Sequence, residues 1–290
     1  MLRRSLVSML LALSMFSIAS PHPLDSNVAH AQPASVIASG KTLDFVHDGH
    51  LDRRPDESYE ARLFVPKKAL GDPDEPRPFV VFLHGTNPDY SHFRMVGGRP
   101  QDPDLRQILG AMVEGDVPPL IVGAPTTTVS CIVPEALWPN FDLDRFVEKS
   151  ARRLRGVATI DLTNIVVVGH SGGACNRTGG IFSALAHTTL HVRAVMSIDT
   201  CMDPPYAESL LAFSPPETDV YSTWQPWGWN RGFDKYVKTF EANNHAPASS
   251  VRIIEEMHPP RWERPHDAMV ALTLQKYLPQ ALRVKESKSD

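Results

Sequence analysis

Cysteine is scarce in this chain: there are three in 290 residues, Cys131, Cys175 and Cys201. None has the C-x-x-C spacing of a zinc or redox site, so no cysteine-based metal centre is expected. In an oxidising compartment three cysteines allow one disulfide and one spare thiol, and spacing does not choose the pair. A basic cluster is also missing, and the formal net charge is −4, which argues against nucleic acid as a partner. No apolar run is long enough to span a bilayer comfortably; Leu6–Ile18 (LVSMLLALSMFSI) falls short. Internal repeats are absent.

That short apolar run has its own meaning. Arg3 and Arg4 precede it, Pro21 and Pro23 break any continuing helix, and Ala29-His30-Ala31 provides an A-x-A cleavage site. The pattern predicts a secretory signal peptide over 1–31, with Ala19 as an alternative cleavage point, and a secreted or periplasmic mature protein with no stable membrane insertion. A flexible lead-in over 32–40, a single domain over 41–282 and a polar tail over 283–290 are expected to follow. Nothing in the sequence fixes an oligomeric state.

Eight segments read as extended: Thr42–Val46, Tyr59–Val65, Phe79–Leu83, Leu120–Gly123, Ile165–Val168, Val192–Ile198, Val220–Trp224 and Val251–Glu255. Their mostly continuous Val/Ile/Leu/Phe runs suit strands buried on both faces. The clearest helix is Phe141–Arg155, with an apolar stripe through Leu143, Phe146, Val147, Ala151 and Leu154 and with Asn140 as its expected cap. A second helix is expected over Asp267–Leu278. The pattern predicts an α/β fold: a mostly parallel sheet of about eight strands with helices on both faces.

The most informative motif is Gly169-His170-Ser171-Gly172-Gly173, directly after the apolar run Asn164–Val168. A serine on a sharp strand-to-helix corner is forced into a strained backbone, and glycines two residues to either side avoid collisions with the strand and helix. This makes Ser171 the candidate nucleophile, in a better setting than any of the cysteines. Gly179 and Gly180 fall inside the helix that should follow, and argue against a long regular one. Trp224, Trp227 and Trp229 lie within six residues of one another and suggest either an aromatic wall beside the site or packing of a bent loop.

The strand–GHSGG–helix unit follows Phe82-Leu83-His84-Gly85-Thr86 and precedes the stretch His258–Pro265 (HPPRWERP). Together these resemble the α/β-hydrolase superfamily over roughly residues 42 to 282, without selecting one family within it. The resemblance implies an oxyanion hole from the backbone N–H groups of Thr86 and Gly172. It implies His258 as general base, with His266 as the alternative. The acid usually follows the seventh strand in this superfamily, and here the expected aspartate is missing. Some secreted lipases and the platelet-activating-factor acetylhydrolases take it from the end of the sixth strand. That points to Asp199, with Asp234 and then Asp203 as alternatives.

The implied activity is a secreted serine hydrolase that cleaves a carboxylic ester, on a small molecule or a polymer, through an acyl-enzyme and without metal or organic cofactor. The same machinery would serve a serine peptidase or amidase. A non-catalytic binding protein on the same scaffold is the competing class, and the irregular position of the acid is its only hint.

Overall fold

The computed structural model describes residues 39–47, 59–127, 133–227, 232–261 and 264–282. The expected leader and tail lie outside the described residues, as do Cys131, Trp229, Trp262 and Glu263. Of the expected lead-in, Ser39 and Gly40 are described, and Gly40 already begins the first strand.

Each of the eight extended segments is a strand: β1 (Gly40–His47), β2 (Tyr59–Pro66), β3 (Pro76–Leu83), β4 (Ile121–Thr126), β5 (Thr159–His170), β6 (Val192–Ile198), β7 (Asp219–Trp224) and β8 (Arg252–Glu256). They form one sheet in the order β1-β2-β4-β3-β5-β6-β7-β8. β2 pairs antiparallel with both β1 and β4, and every pair from β4 through β3 to β8 is parallel. Side chains alternate along each strand, so the continuous apolar runs split into two cores. Phe79, Val81, Leu83, Ile165 and Val167 face one layer. Val80, Phe82, Val166, Val168 and Met196 face the other.

The first face is covered by α2 (Leu143–Leu154), α3 (Gly180–His187), α4 (Pro204–Phe213) and α5 (Asp234–Asn243), through Phe146, Phe182, Leu210 and Phe240. The second is covered by α1 (Leu105–Glu114) and α6 (Pro265–Ala281), through Leu105, Leu109, Met269, Leu274 and Leu278. A two-sided cover is what the strand composition demanded. Two local expectations are corrected. α2 starts at Leu143, capped by Asp142, whose side chain accepts from the Arg145 N–H at 2.9 Å, instead of by Asn140. α6 runs past Leu278 and takes Pro279 into its last turn.

Among the described residues, no helix is long and apolar enough to cross a membrane, and no group of three or more His, Cys, Asp or Glu side chains could hold a metal ion.

Candidate active site

β5 is the central strand, and it ends where the glycine motif begins. Ser171 has φ +52°, a conformation that a residue with a Cβ rarely adopts. The chain makes one 3₁₀ turn over Ser171–Ala174, and α3 begins only at Gly180, which has φ +54°. The glycine pair thus starts the helix instead of interrupting it. The motif's outer glycines are sterically required: a Cβ on Gly169 would meet Ile181 of α3 at 2.6 Å, and one on Gly173 would meet the Leu83 carbonyl of β3 at 2.3 Å.

The loop after β3 closes over this corner. A Cβ on Gly85 would lie 2.4 Å from the Ser171 Cβ, 2.8 Å from its Oγ and 3.2 Å from the Gly172 amide nitrogen. A Cβ on Gly172 would lie 3.4 Å from the Thr86 amide nitrogen. The hydroxyl and the two amides expected for an oxyanion hole therefore crowd into one small volume. The loop is held from behind. His84 Nδ1–H donates to the Gly85 carbonyl at 2.7 Å, its Nε2 accepts from the Thr127 N–H at 3.2 Å, and Trp138 Nε1–H donates to its carbonyl at 2.8 Å. Arg94 donates to the Thr86 carbonyl, and its Nε and Nη2 grip Asp102 at 2.9 and 3.1 Å. Burial, with the Arg94 charge adding to it, pushes His84 down to about 3, so it stays neutral.

Asp199 follows β6 with φ +46° and is fully buried. Its Oδ2 accepts from His266 Nδ1–H at 2.6 Å and from Gln225 Nε2 at 3.0 Å, and its Oδ1 accepts from the Gln225 N–H at 3.3 Å. Several donors converge on this buried carboxylate, and its bond to Nδ1–H fixes the imidazole tautomer. Of the two other acids considered, Asp234 is an exposed residue at the start of α5 and Asp203 precedes α4 as its N-cap.

The histidine is corrected. His258 is an exposed residue on the loop after the edge strand β8, with its Nε2 3.5 Å from Glu256 Oε1 and its ring 5.6 Å from that of Trp227. His266 meets Asp199 instead. Met257 N–H still donates to the Trp224 carbonyl at 2.7 Å, so the chain leaves β8 beside β7, while Asp199 lies one strand further in. The loop must cross that width first, and Arg264, at φ +37°, turns it into α6. His266 is therefore the second residue of the helix that covers this end of the sheet. His170 steadies it: the two rings lie 4.5 Å apart and His170 Nε2–H donates to the His266 carbonyl at 3.0 Å. Burial first, and the neighbouring His266 second, lower the His170 pKa well below its ordinary value.

Cys175 and Cys201 form a disulfide across 26 residues. One partner follows the Ser171 turn and the other lies two residues past Asp199. Of the tryptophans, Trp224 is buried on β7, and Trp227 is partly exposed with Arg261 stacked 3.8 Å over its ring. Gln225, Arg94 and His170, which support the site, had no sequence signal beyond their neighbourhood.

Ser171, Thr86 and His266 line one open pocket of about 380 Å³. The arrangement combines a strained hydroxyl, a carboxylate-bound imidazole and two convergent amides, the components of acyl transfer.

No family model matches the chain, and no curated protein matches it. Solved structures do. It is similar to a feruloyl esterase module from Clostridium thermocellum complexed with sinapinate, at 13% identity and a TM-score of 0.56 over 83% of this chain and 88% of that one. It is similar to an S-formylglutathione hydrolase from Agrobacterium tumefaciens, at 14% identity and a TM-score of 0.51 over 85% and 97%. An acylaminoacyl peptidase from Pyrococcus horikoshii matches at 11% identity and a TM-score of 0.52, over 87% of this chain and 43% of that one. With its sheet order, its serine corner and these likenesses together, the chain has the α/β-hydrolase fold.

Proposed function

We propose that this protein is an exported serine hydrolase that cleaves a carboxylic ester. Ser171 attacks the carbonyl, and His266 takes its proton and later returns one to the leaving group. Asp199 orients the imidazole and stabilises the imidazolium. The Thr86 and Gly172 amides bind the developing oxyanion, each worth about 3 kcal/mol of the barrier. An acyl-enzyme forms on Ser171 and water releases it, with His266 as base again. No cofactor enters any step.

The observation that carries this reading is the 2.6 Å bond between Asp199 and His266, made over the pocket that Ser171 lines. The esterases among its fold neighbours support ester chemistry, and export is supported by the N-terminal leader together with the Cys175–Cys201 disulfide. The test is hydrolysis of p-nitrophenyl acetate and butyrate beside the matching anilides. We expect ester turnover that Ser171→Ala lowers by at least a thousandfold, and little on the anilides. Turnover that survives Ser171→Ala refutes the assignment, and faster anilide cleavage makes the protein an amidase.

A further inference from the structure

The pocket around Ser171 is lined by three guanidinium groups, Arg94, Arg99 and Arg264, and by one carboxylate, Asp267. Esters need no such lining, because the carbonyl is neutral until it is attacked. Arg94 is engaged behind the oxyanion loop through all three of its nitrogens, which donate to Asp102 and to the Thr86 carbonyl. The other two differ. Arg99 is half-buried on the loop after β3, and its Nη2 pairs with the exposed Asp89 at 2.7 Å, while among the described residues Nε and Nη1 make no hydrogen bond. Nε and Nη1 therefore remain for a ligand, and Asp89 does not line the pocket. Arg264 reaches the same loop, its Nη1 donating to the Gln101 carbonyl at 2.5 Å. Its Nη2 pairs with Asp267 at 2.6 Å, and its side chain is about half exposed, at 53%. The counter-charges of Arg99 and Arg94, Asp89 and Asp102, lie outside the lining, so the surface that a substrate meets is more positive than the loop as a whole.

A guanidinium with N–H donors to spare suits a carboxylate or another oxyanion, and it cannot be deprotonated at working pH. A pocket of about 380 Å³ is at the small end of ligand sites, so a charge on a bound substrate would come close to these groups. We propose that the substrate is an anionic ester, carrying a carboxylate or similar group within a few bonds of the scissile carbonyl, with Arg99 as the specificity-determining residue and Arg264 as a second cation of the lining. This rests on the serine hydrolase reading and names the class of ester it acts on.

The experiment compares matched pairs on the full mature protein. On the acyl side, mono-4-nitrophenyl succinate is set against 4-nitrophenyl butyrate. On the alcohol side, 4-acetoxybenzoate is set against 4-acetoxybenzamide. We expect kcat/KM to favour the anion at least tenfold in one pair, which also identifies the side that carries the charge. The preference should shrink several-fold between 20 mM and 500 mM salt, as screening requires. Arg99→Gln should cut the ratio at least threefold, and Arg99→Lys should retain more of it than Arg99→Gln. Equal or better turnover of the neutral ester in both pairs overturns the proposal while leaving the hydrolase reading intact. A ratio unmoved by Arg99→Gln overturns the role of Arg99. No turnover of any ester, with no fluorophosphonate adduct on Ser171, overturns both readings together.

Discussion

The Cys175–Cys201 disulfide joins the two strained corners of the site, so its removal should be felt in both stability and activity. Cys175 follows the turn that sets Ser171 at φ +52°, and Cys201 follows Asp199 at φ +46°. Holding non-glycine residues in that region costs on the order of 1 kcal/mol or more each, and it persists only where the surroundings enforce it. The cross-link closes a loop of 26 residues. On the chain-entropy relation a loop of that size stabilises the fold by about 3.5 kcal/mol. We therefore expect Cys175→Ala/Cys201→Ala to lower the unfolding free energy in urea by about that amount. Dithiothreitol should produce a similar loss in the native protein and none in the double variant. Ester turnover should fall with it, mainly in kcat, because a relaxed Asp199 holds His266 less well. A loss below about 1 kcal/mol, or a reductant effect of equal size on both proteins, would refute the reasoning.

Three further outcomes follow from the geometry. His266→Ala should lower kcat/KM by at least a thousandfold, whereas His258→Ala, on an exposed loop beside Glu256, should change it by less than threefold; steady-state kinetics on one ester decides. Gly85→Ala would place a methyl group 2.4 Å from the Ser171 Cβ, so activity should fall at least a hundredfold while the fold loses about 1–3 kcal/mol, as measured by denaturation. Stability should also fall on the acid side. His84 and His170 are held neutral in the fold, while their unfolded counterparts take up protons below about pH 6.5. The unfolded state then binds more protons, so stability is full above that pH and declines as pH falls towards the depressed folded values, by about 2 kcal/mol at pH 5 for His84 and further through His170. Urea unfolding at pH 7.5 and pH 5 measures it, and equal stability at the two would contradict the burial of these rings.

The sheet was legible because burial on both faces leaves continuous apolar runs in its central strands, β3 to β6. Ser171 was legible for a related reason: a corner that tolerates no Cβ at Gly169 or Gly173 must be written in glycine. Asp199 was suggested by the resemblance to enzymes that take their acid from the end of the sixth strand, since Trp224–Asn230 offers no aspartate after β7. The histidine could not. Chain order places both His258 and His266 after the last strand, and the choice depends on how far the loop travels before α6 begins. That distance is set by Arg264 in the left-handed region, a conformation with no sequence signature in an arginine. Similarly, a helix that starts at a glycine pair is read most easily as a broken one, and only the positive φ of Gly180 shows that it is a start. Gln225, Arg94 and His170 act through hydrogen bonds between segments distant in sequence, which periodicity does not report.

The central claim is that Ser171 is a nucleophile activated by His266. Intact-mass analysis after exposure to a fluorophosphonate tests it most directly. The account predicts one adduct per chain, mapped to Ser171 by peptide sequencing. It should be absent in Ser171→Ala, slowed at least a hundredfold in His266→Ala, and formed at the native rate in His258→Ala. An unlabelled native protein, or an adduct that forms as fast without His266, would contradict it.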